Sequence, residues 1–239
     1  MNAEQGCYVY GITWAEGAVG LDDVQGIGGR VYLVTSGGVS AVVSDVPLEE
    51  FGEETIERNL ARIEWIAATA QAHQQVLAAV SGAGAILPMR LCTIYRDRDR
   101  VREMLEEHQD KFAAALARLD GKDEWGVKLY SDPETLRAKA IELSEEVRSF
   151  SSQIEGKSPG AAYFLKKRLE EMTGSEMERI QDAAYLVTRE GTQQFREELD
   201  AIRREGDGRG FTYELSGPWP PYNFAAPGRH GAEETREVV

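Results

Sequence analysis

Histidine and cysteine are the residue types of this chain best suited to binding a metal or acting as a base or nucleophile, and they are few. The three histidines are His73, His108 and His230, and each lies alone in its segment of the sequence. The two cysteines, Cys7 and Cys92, are also far apart. A metal site needs such residues at close, regular spacing, as in Cys-x-x-Cys or His-Glu-x-x-His, and neither pattern occurs. The sequence therefore predicts no metal site, and it favours a structural role for His73 and His108 on helix faces.

Two other segments indicate catalysis only weakly. Gly26–Gly29 is rich in glycine, but no Lys-Ser or Lys-Thr pair and no helix follow it, so a loop before a strand is favoured over a phosphate-binding loop. Glu64 next to Trp65 suggests a general acid held against an apolar ring. Its position on the flank of a helix favours a surface residue instead. Because a Gly-x-Ser-x-Gly motif is also missing, the sequence predicts no catalytic residues and no cofactor.

The most unusual segment is Ser216–Phe224, SGPWPPYNF, which combines three prolines with three aromatic residues. Proline fixes the backbone angle φ, so we expect a stiff, extended segment outside any hydrogen-bonded ladder, which loses little entropy on docking. Two interpretations remain open. Either the segment fills the protein's own core or a domain boundary, or it presents Trp219, Tyr222 and Phe224 to a partner. We expect Trp219 to be buried and Phe224 to be exposed.

Composition and charge limit the classes of partner. The chain has 239 residues, of which 41 are Asp or Glu and 27 are Lys or Arg, which gives a net charge of -14. Nucleic acids and anionic membrane surfaces are bound mainly through Lys and Arg, so the sequence predicts neither as a partner. No apolar run approaches the roughly 18 residues of a membrane helix, and no secretory signal is recognisable. Together with two lone thiols, these features predict a cytoplasmic protein.

Hydrophobic periodicity predicts an α+β protein whose first part, residues 1–120, is a small mixed domain. It contains a β-hairpin around Ser36–Gly38 and two long helices, Glu53–Val80 and Asp97–Leu119. The first of these helices has one apolar stripe that is expected to face the core. The stripe is formed by Ile56, Leu60, Ile63, Ala67, Ala70 and Leu77.

The second part, residues 121–224, reads β-α-(α)-β-α-β, which is a ferredoxin-like order with one strand missing. Its opening strand contains Trp125, which we expect to be buried. Helices are predicted over 132–150 and 161–172. Residues 225–239 are polar and show no periodicity, so the sequence predicts a disordered tail.

Several strings between Tyr8 and Phe224 resemble the gas vesicle protein F/L family, and they occur in the family's order. The strings are YVYGI (8–12), GVSAVVSDVPLEEFGEE (38–54), AHQQVLAAV (72–80), ILPMRLCTIY (86–95), EWGVK (124–128), PGAAYFLKKR (159–168), AAYLV (183–187) and GPWPPYNF (217–224). Separate strings in the right order make the resemblance specific, and GPWPPYNF contributes most to it.

The resemblance implies an accessory protein of gas vesicle assembly, in the cytoplasm or on the vesicle. Such a protein is expected to bind the small hydrophobic shell protein, as a chaperone or in nucleation, or to be a minor vesicle component. Other gas vesicle accessory proteins are further expected partners. The implied fold is two α+β domains, the second a modified ferredoxin-like one, and the family supplies no catalytic residues to transfer. The chain departs from the family where only Leu169–Asp182 joins two matching strings, a connection that is usually longer.

Two alternatives remain open beside an assembly factor. An enzyme or a small-molecule-binding α+β protein can share only the scaffold, because similar folds host many functions. Such a protein is expected to have a deep cleft with converging polar groups and perturbed pKa values. The other alternative is a purely structural element that lines the shell. An assembly factor is expected to have an apolar surface or groove instead.

Overall fold

The computed structural model describes residues 4–17, 21–132, 135, 181–206, 210–225 and 234–238. Every structural statement below refers to these residues. Apart from Asp132 and Thr135, the helices predicted over 132–150 and 161–172 lie outside them. The same is true of His230 and of most of the Leu169–Asp182 connection.

The first sheet is antiparallel and forms from segments rich in β-branched and aromatic residues. Strand β1 (Gln5–Trp14) is central, and β2 (Tyr32–Ser36) and β3 (Val39–Pro47) form the predicted hairpin. The order is β2-β3-β1-β4, where β4 is Ile86–Pro88. A short strand β5 (Ile94–Tyr95) also pairs with β1.

The long helix predicted over Glu53–Val80 is broken in the structure. Residues before it form α1 (Leu48–Phe51), and the predicted range itself divides into α2 (Glu53–Leu60) and α3 (Ile63–Ser81). The break lies at Arg62, whose backbone is extended.

The break also changes which residues of these helices are buried. Leu60 is 41% exposed and Ile63 is 76% exposed, so their placement in a buried stripe was wrong. A helical count cannot continue across an extended residue, because that residue rotates the next helix to a new phase. The buried residues of α3 are Thr69, His73, Val76, Leu77 and Val80.

Helix α4 (Arg98–Leu119) agrees with its prediction to within one residue. The Asp97 side chain caps it by accepting a hydrogen bond from the Arg100 backbone N–H at 2.8 Å. Its backbone is kinked at His108. Its apolar residues pack against one face of the first sheet, and α3 packs against the other face.

The second sheet contains β6 (Lys122–Ser131), β7 (Gln181–Thr188) and β8 (Phe211–Trp219), which pair antiparallel around β6. Helix α5 (Thr192–Gly206) covers the face on which Trp125 lies. Trp125 is 3% exposed, which confirms its predicted burial. The opposite face sends Ala184 and Leu186 into the core around α4, so the two sheets share one hydrophobic cluster.

The C-terminal residues Glu234–Val238 form a further strand, β9, parallel to β7. The order of the second sheet is therefore β8-β6-β7-β9. The prediction that residues 225–239 are disordered was wrong for this segment. Apolar periodicity could not reveal the strand, because pairing with a sheet edge uses backbone groups that every sequence has.

The predicted α+β class is confirmed. The domain division at residue 120 and the ferredoxin-like order of the second part remain predictions. None of the described helices combines the length and the apolarity that a membrane span requires.

Candidate functional site

The segment Ser216–Phe224, called the strip below, is half strand and half turn. Its first half belongs to β8 and pairs with β6 across a β-bulge between Glu124 and Gly126. Its last residues, Tyr222–Phe224, form a 3₁₀ turn. The expectation that prolines exclude the strip from a ladder was wrong for the first half. Strand β8 lies at the sheet edge, where Pro218 is tolerated because one side of the strand needs no partner.

Gly217 allows the strip to pass close to β6. Its φ angle is +123°, and its peptide bond to Pro218 is cis. A Cβ atom at this position would lie 2.8 Å from the Glu124 carbonyl oxygen and 3.1 Å from the Trp125 ring. A larger residue would therefore push the strip away from the sheet.

The three aromatic residues of the strip are exposed in the opposite order to the one expected. Trp219 is 44% exposed and Tyr222 is 37% exposed, whereas Phe224 is 6% exposed and lies in the core beside α4. The Arg118 guanidinium donates a hydrogen bond to the Phe224 carbonyl oxygen. The buried Phe224 therefore holds the end of the strip in place. Trp219 faces solvent because it lies on an edge strand.

An open groove of about 550 Å³, called the α3 groove, separates α3 from Pro218–Pro220. Most of its exposed lining surface is apolar, although polar side chains contribute to it. The lining residues include Gln71, Gln74, Gln75, Ala78, Gly82, Trp219, Asp123 and Arg189. Arg189 lies at one end, where its Nε atom is 3.3 Å from Asp123 Oδ1 and its Nη2 atom donates to the Ser81 carbonyl oxygen at 3.0 Å. These bonds link α3 to the second sheet.

Both walls of the α3 groove come from uncharged sequence. No Asp, Glu, Lys or Arg occurs over 66–89 or over 215–228, although 28% of the chain is charged. The charged residues in the lining, Asp123 and Arg189, pair with each other, so a charged partner surface laid on these walls would lose its water without gaining a counter-ion. The groove is therefore suited to a neutral, apolar partner. This signal was available in the sequence, but a search for apolar periodicity does not detect a run without charge.

A second groove, of about 400 Å³, lies beside the end of the strip. It is lined by Tyr222 and Asn223 of the strip, by Met89 after β4 and by Phe112 of α4. The two exposed aromatic residues thus border different grooves, Trp219 the first and Tyr222 the second.

Tyr222 rests on a buried polar cluster beneath the strip. Its hydroxyl donates to Gln74 Oε1 at 3.1 Å, and its ring stacks on His73 with the ring centroids 6.4 Å apart. His73 Nδ1 is 2.9 Å from the Tyr8 hydroxyl, which also accepts from the Cys92 backbone N–H at 3.0 Å. Burial lowers the pKa of His73 to about 4 and raises the pKa of Tyr222 to about 12, so both are neutral at pH 7.

The chemistry of this surface is that of noncovalent contact. Burial favours the neutral forms of Tyr8 and His73 beneath the strip, and Glu64 is exposed. In the described part of the chain, no group of three or more His, Cys, Asp or Glu side chains could hold a metal ion. The strip offers an indole and a phenol beside two grooves, which are features of a binding surface.

Comparison with solved structures shows the fold. The crystal structure of the gas vesicle protein GvpF from Anabaena sp. PCC7120 superposes with a TM-score of 0.70 at 18% identity, over 94% of this chain and 100% of that one. The GvpF structure from Microcystis aeruginosa gives a TM-score of 0.63 at 19% identity, over 92% of this chain and 99% of that one.

Comparison of sequences shows the family. The chain is 31% identical to gas vesicle protein L of Streptomyces sp. (strain CB03234), over 100% of this chain and 99% of that protein. It is 27% identical to gas vesicle protein F of the same organism, over 91% and 98% of the two chains. The family model described as "Gas vesicle synthesis protein GvpL/GvpF" matches residues 6–183 and 175–226. The chain therefore belongs to the GvpL/GvpF family of gas vesicle synthesis proteins.

Proposed function

We propose that this protein is an accessory protein of gas vesicle assembly that binds the small hydrophobic shell protein, keeping it soluble until it is incorporated. It acts in the cytoplasm and at the growing vesicle. Contact with other gas vesicle accessory proteins belongs to the same role.

The α3 groove and the exposed Trp219 are the observations that support this proposal. A shell subunit that faces gas has an apolar surface, which aggregates if it is left in water. A protein that covers this surface needs an apolar contact area of its own and a strongly charged remainder for solubility. This chain has a net charge of -14, whereas the α3 and strip segments that form the walls of the groove contain no charged residue. The charged residues that also line the groove, Asp123 and Arg189, pair with each other.

Trp219 supplies the anchor of the proposed contact. Its ring is 44% exposed at the edge of the groove, and aromatic residues dominate the binding energy of protein interfaces. Because the strip is anchored at Phe224 and stiffened by prolines, little entropy is lost when a partner docks. Tyr222 extends the contact toward the second groove.

Co-expression with the shell protein, followed by pull-down and by measurement of its soluble fraction, tests the function itself. We expect the shell protein to become soluble and to co-purify with this chain. If its soluble fraction is unchanged, the proposed solubilising role is wrong.

A pair of charge insertions tests the groove. Ala78 lines the groove, whereas its neighbour Ala79 is also exposed on α3 but does not line it. We expect Ala78→Glu to reduce capture of the shell protein at least tenfold, and Ala79→Glu to leave it unchanged. Trp219→Ala should reduce capture similarly, and Ile202→Ala, which alters an exposed residue of α5, should not. If the two variants of either pair reduce capture equally, the shell protein does not bind at the α3 groove.

A further inference from the structure

We propose that the outer edge of β7 is a docking site for an extended strand of another polypeptide, and that β9 is its displaceable occupant. This inference concerns the second sheet and is independent of the α3 groove. Strand β7 is held by β6 on one side, and β9 covers its other side by parallel pairing.

The register of β9 on β7 indicates a weak match. It places Glu234, Thr235, Arg236 and Glu237 beside Ala183, Ala184, Tyr185 and Leu186, in that order. Only Val238 beside Val187 pairs two apolar residues. Cross-strand pairs of apolar β-branched or aromatic residues stabilise a sheet, whereas Glu is disfavoured in strands.

The orientation of β9 also indicates that its pairing with β7 is weak. It is the only parallel neighbour among the described strands of the second sheet, and parallel pairing is slightly less stable per residue than antiparallel pairing. The edge of β7 needs to be covered by another strand. Without one, a row of N–H and C=O groups would be exposed beside the buried residues Ala184, Leu186 and Val187. A polar strand thus closes an edge that an apolar strand would fit better.

Covalent connection compensates for this poor match. Eight residues, 226–233, separate β9 from Ala225, which packs against the core. Because β9 belongs to the same chain, its pairing with β7 is intramolecular, which raises its effective concentration at the edge. The natural occupant can therefore be weak and still hold the edge. A partner strand that carries apolar, β-branched residues at the positions of Thr235 and Glu237 replaces β9. These two positions lie beside the buried Ala184 and Leu186.

A full-length variant that cannot form β9 tests the proposal. Successive N–H groups of a strand point to opposite sides, so the double change Thr235→Pro and Arg236→Pro removes one N–H that faces β7. The control is the double change Ala232→Pro and Glu233→Pro, immediately before the strand. We expect the β7 amides that face β9 to exchange hydrogen at least tenfold faster in the first variant only. Unchanged β6 exchange and an unchanged Tm show that the fold is intact.

Two synthetic peptides then probe the opened edge. One has the sequence of residues 232–239, and the other carries Thr235→Val and Glu237→Val. We expect the valine peptide to bind the opened variant at least tenfold more tightly than the natural peptide, and at least tenfold more tightly than it binds the unaltered protein. Equal binding to both proteins, absence of binding to the opened variant, or unchanged β7 exchange would each overturn the proposal. No gas vesicle component is used, so the outcome is independent of the proposed function.

Discussion

Glu124 binds Asn223 through both of its carboxylate oxygens. Oε1 accepts a hydrogen bond from Asn223 Nδ2 at 2.8 Å, and Oε2 accepts one from the Asn223 backbone N–H at 2.9 Å. Glu124 is 6% exposed on β6, so its buried carboxyl group receives two directed donors. The contact fixes the end of the strip, and it places Tyr222 at the surface and Phe224 in the core.

Removing this carboxylate should destabilise the protein. We expect Glu124→Ala to lower the free energy of unfolding by about 3 kcal/mol, because two hydrogen bonds to the buried carboxyl group are lost. Asn223→Ala should cost about half as much, since the backbone bond remains. Urea denaturation measures both changes. The control Glu214→Ala removes an exposed carboxylate and should stay within about 0.5 kcal/mol of the unaltered protein.

Two aromatic residues of the strip, Phe224 and Trp219, should contribute very differently to the stability of the protein. We expect Phe224→Ala to lower the free energy of unfolding by about 3 to 5 kcal/mol, as truncation of a buried aromatic residue does. Trp219→Ala should change it by less than about 1 kcal/mol, because the ring is largely at the surface. The same denaturation curves decide the matter, and a loss at Trp219 as large as that at Phe224 would show that Trp219 belongs to the core.

Local sequence patterns were sufficient for elements whose signals lie within the element itself. Helix α4 has a capping Asp97 before it and an apolar stripe within it, and both ends were predicted. Trp125 lies in an alternating strand, and its burial followed from that alternation.

Features that depend on distant contacts were not predictable in this way. The extended Arg62 interrupts a continuous apolar stripe, and nothing in the stripe itself indicates the break. Strand β9 depends on an edge supplied by β7. The exposure of Trp219 and the burial of Phe224 depend on where Glu124 holds the turn. The uncharged runs over 66–89 and 215–228 were the sequence features that indicated the α3 groove.

Trp125 is expected to be the largest single contributor to the packing between α5 and the second sheet. Its ring lies 4.7 Å beneath the Arg196 guanidinium, and its Nε1 atom has no acceptor among the described residues. We expect Trp125→Ala to lower the free energy of unfolding by about 3 to 5 kcal/mol. Trp125→Phe should cost clearly less, because it keeps an aromatic ring and removes the unpartnered N–H. Equal losses for both variants in urea denaturation would show that the indole N–H does have an acceptor in the folded protein.

His73 should make the stability of the protein depend on pH. Its folded pKa is about 4, because burial disfavours the charged imidazole, against an ordinary value of 6.5. Between these values the unfolded chain binds more protons than the folded one, so stability decreases as the pH falls. The contribution is complete above about pH 6.5 and is lost progressively down to about pH 4. Two and a half pH units correspond to about 3 kcal/mol.

Urea denaturation between pH 4 and pH 7.5 measures this dependence in the unaltered protein and in His73→Gln. Carboxylates also titrate in this range, so the informative quantity is the difference in unfolding free energy between the two proteins at each pH. We expect the unaltered protein to be the more stable one at pH 7, because Gln lacks the ring that stacks with Tyr222. That advantage should shrink by about 3 kcal/mol by pH 4, since only the unaltered protein must keep a buried imidazole uncharged. A constant difference between the unaltered protein and His73→Gln would mean that His73 can take up a proton in the folded state, beneath Tyr222, without opening the strip.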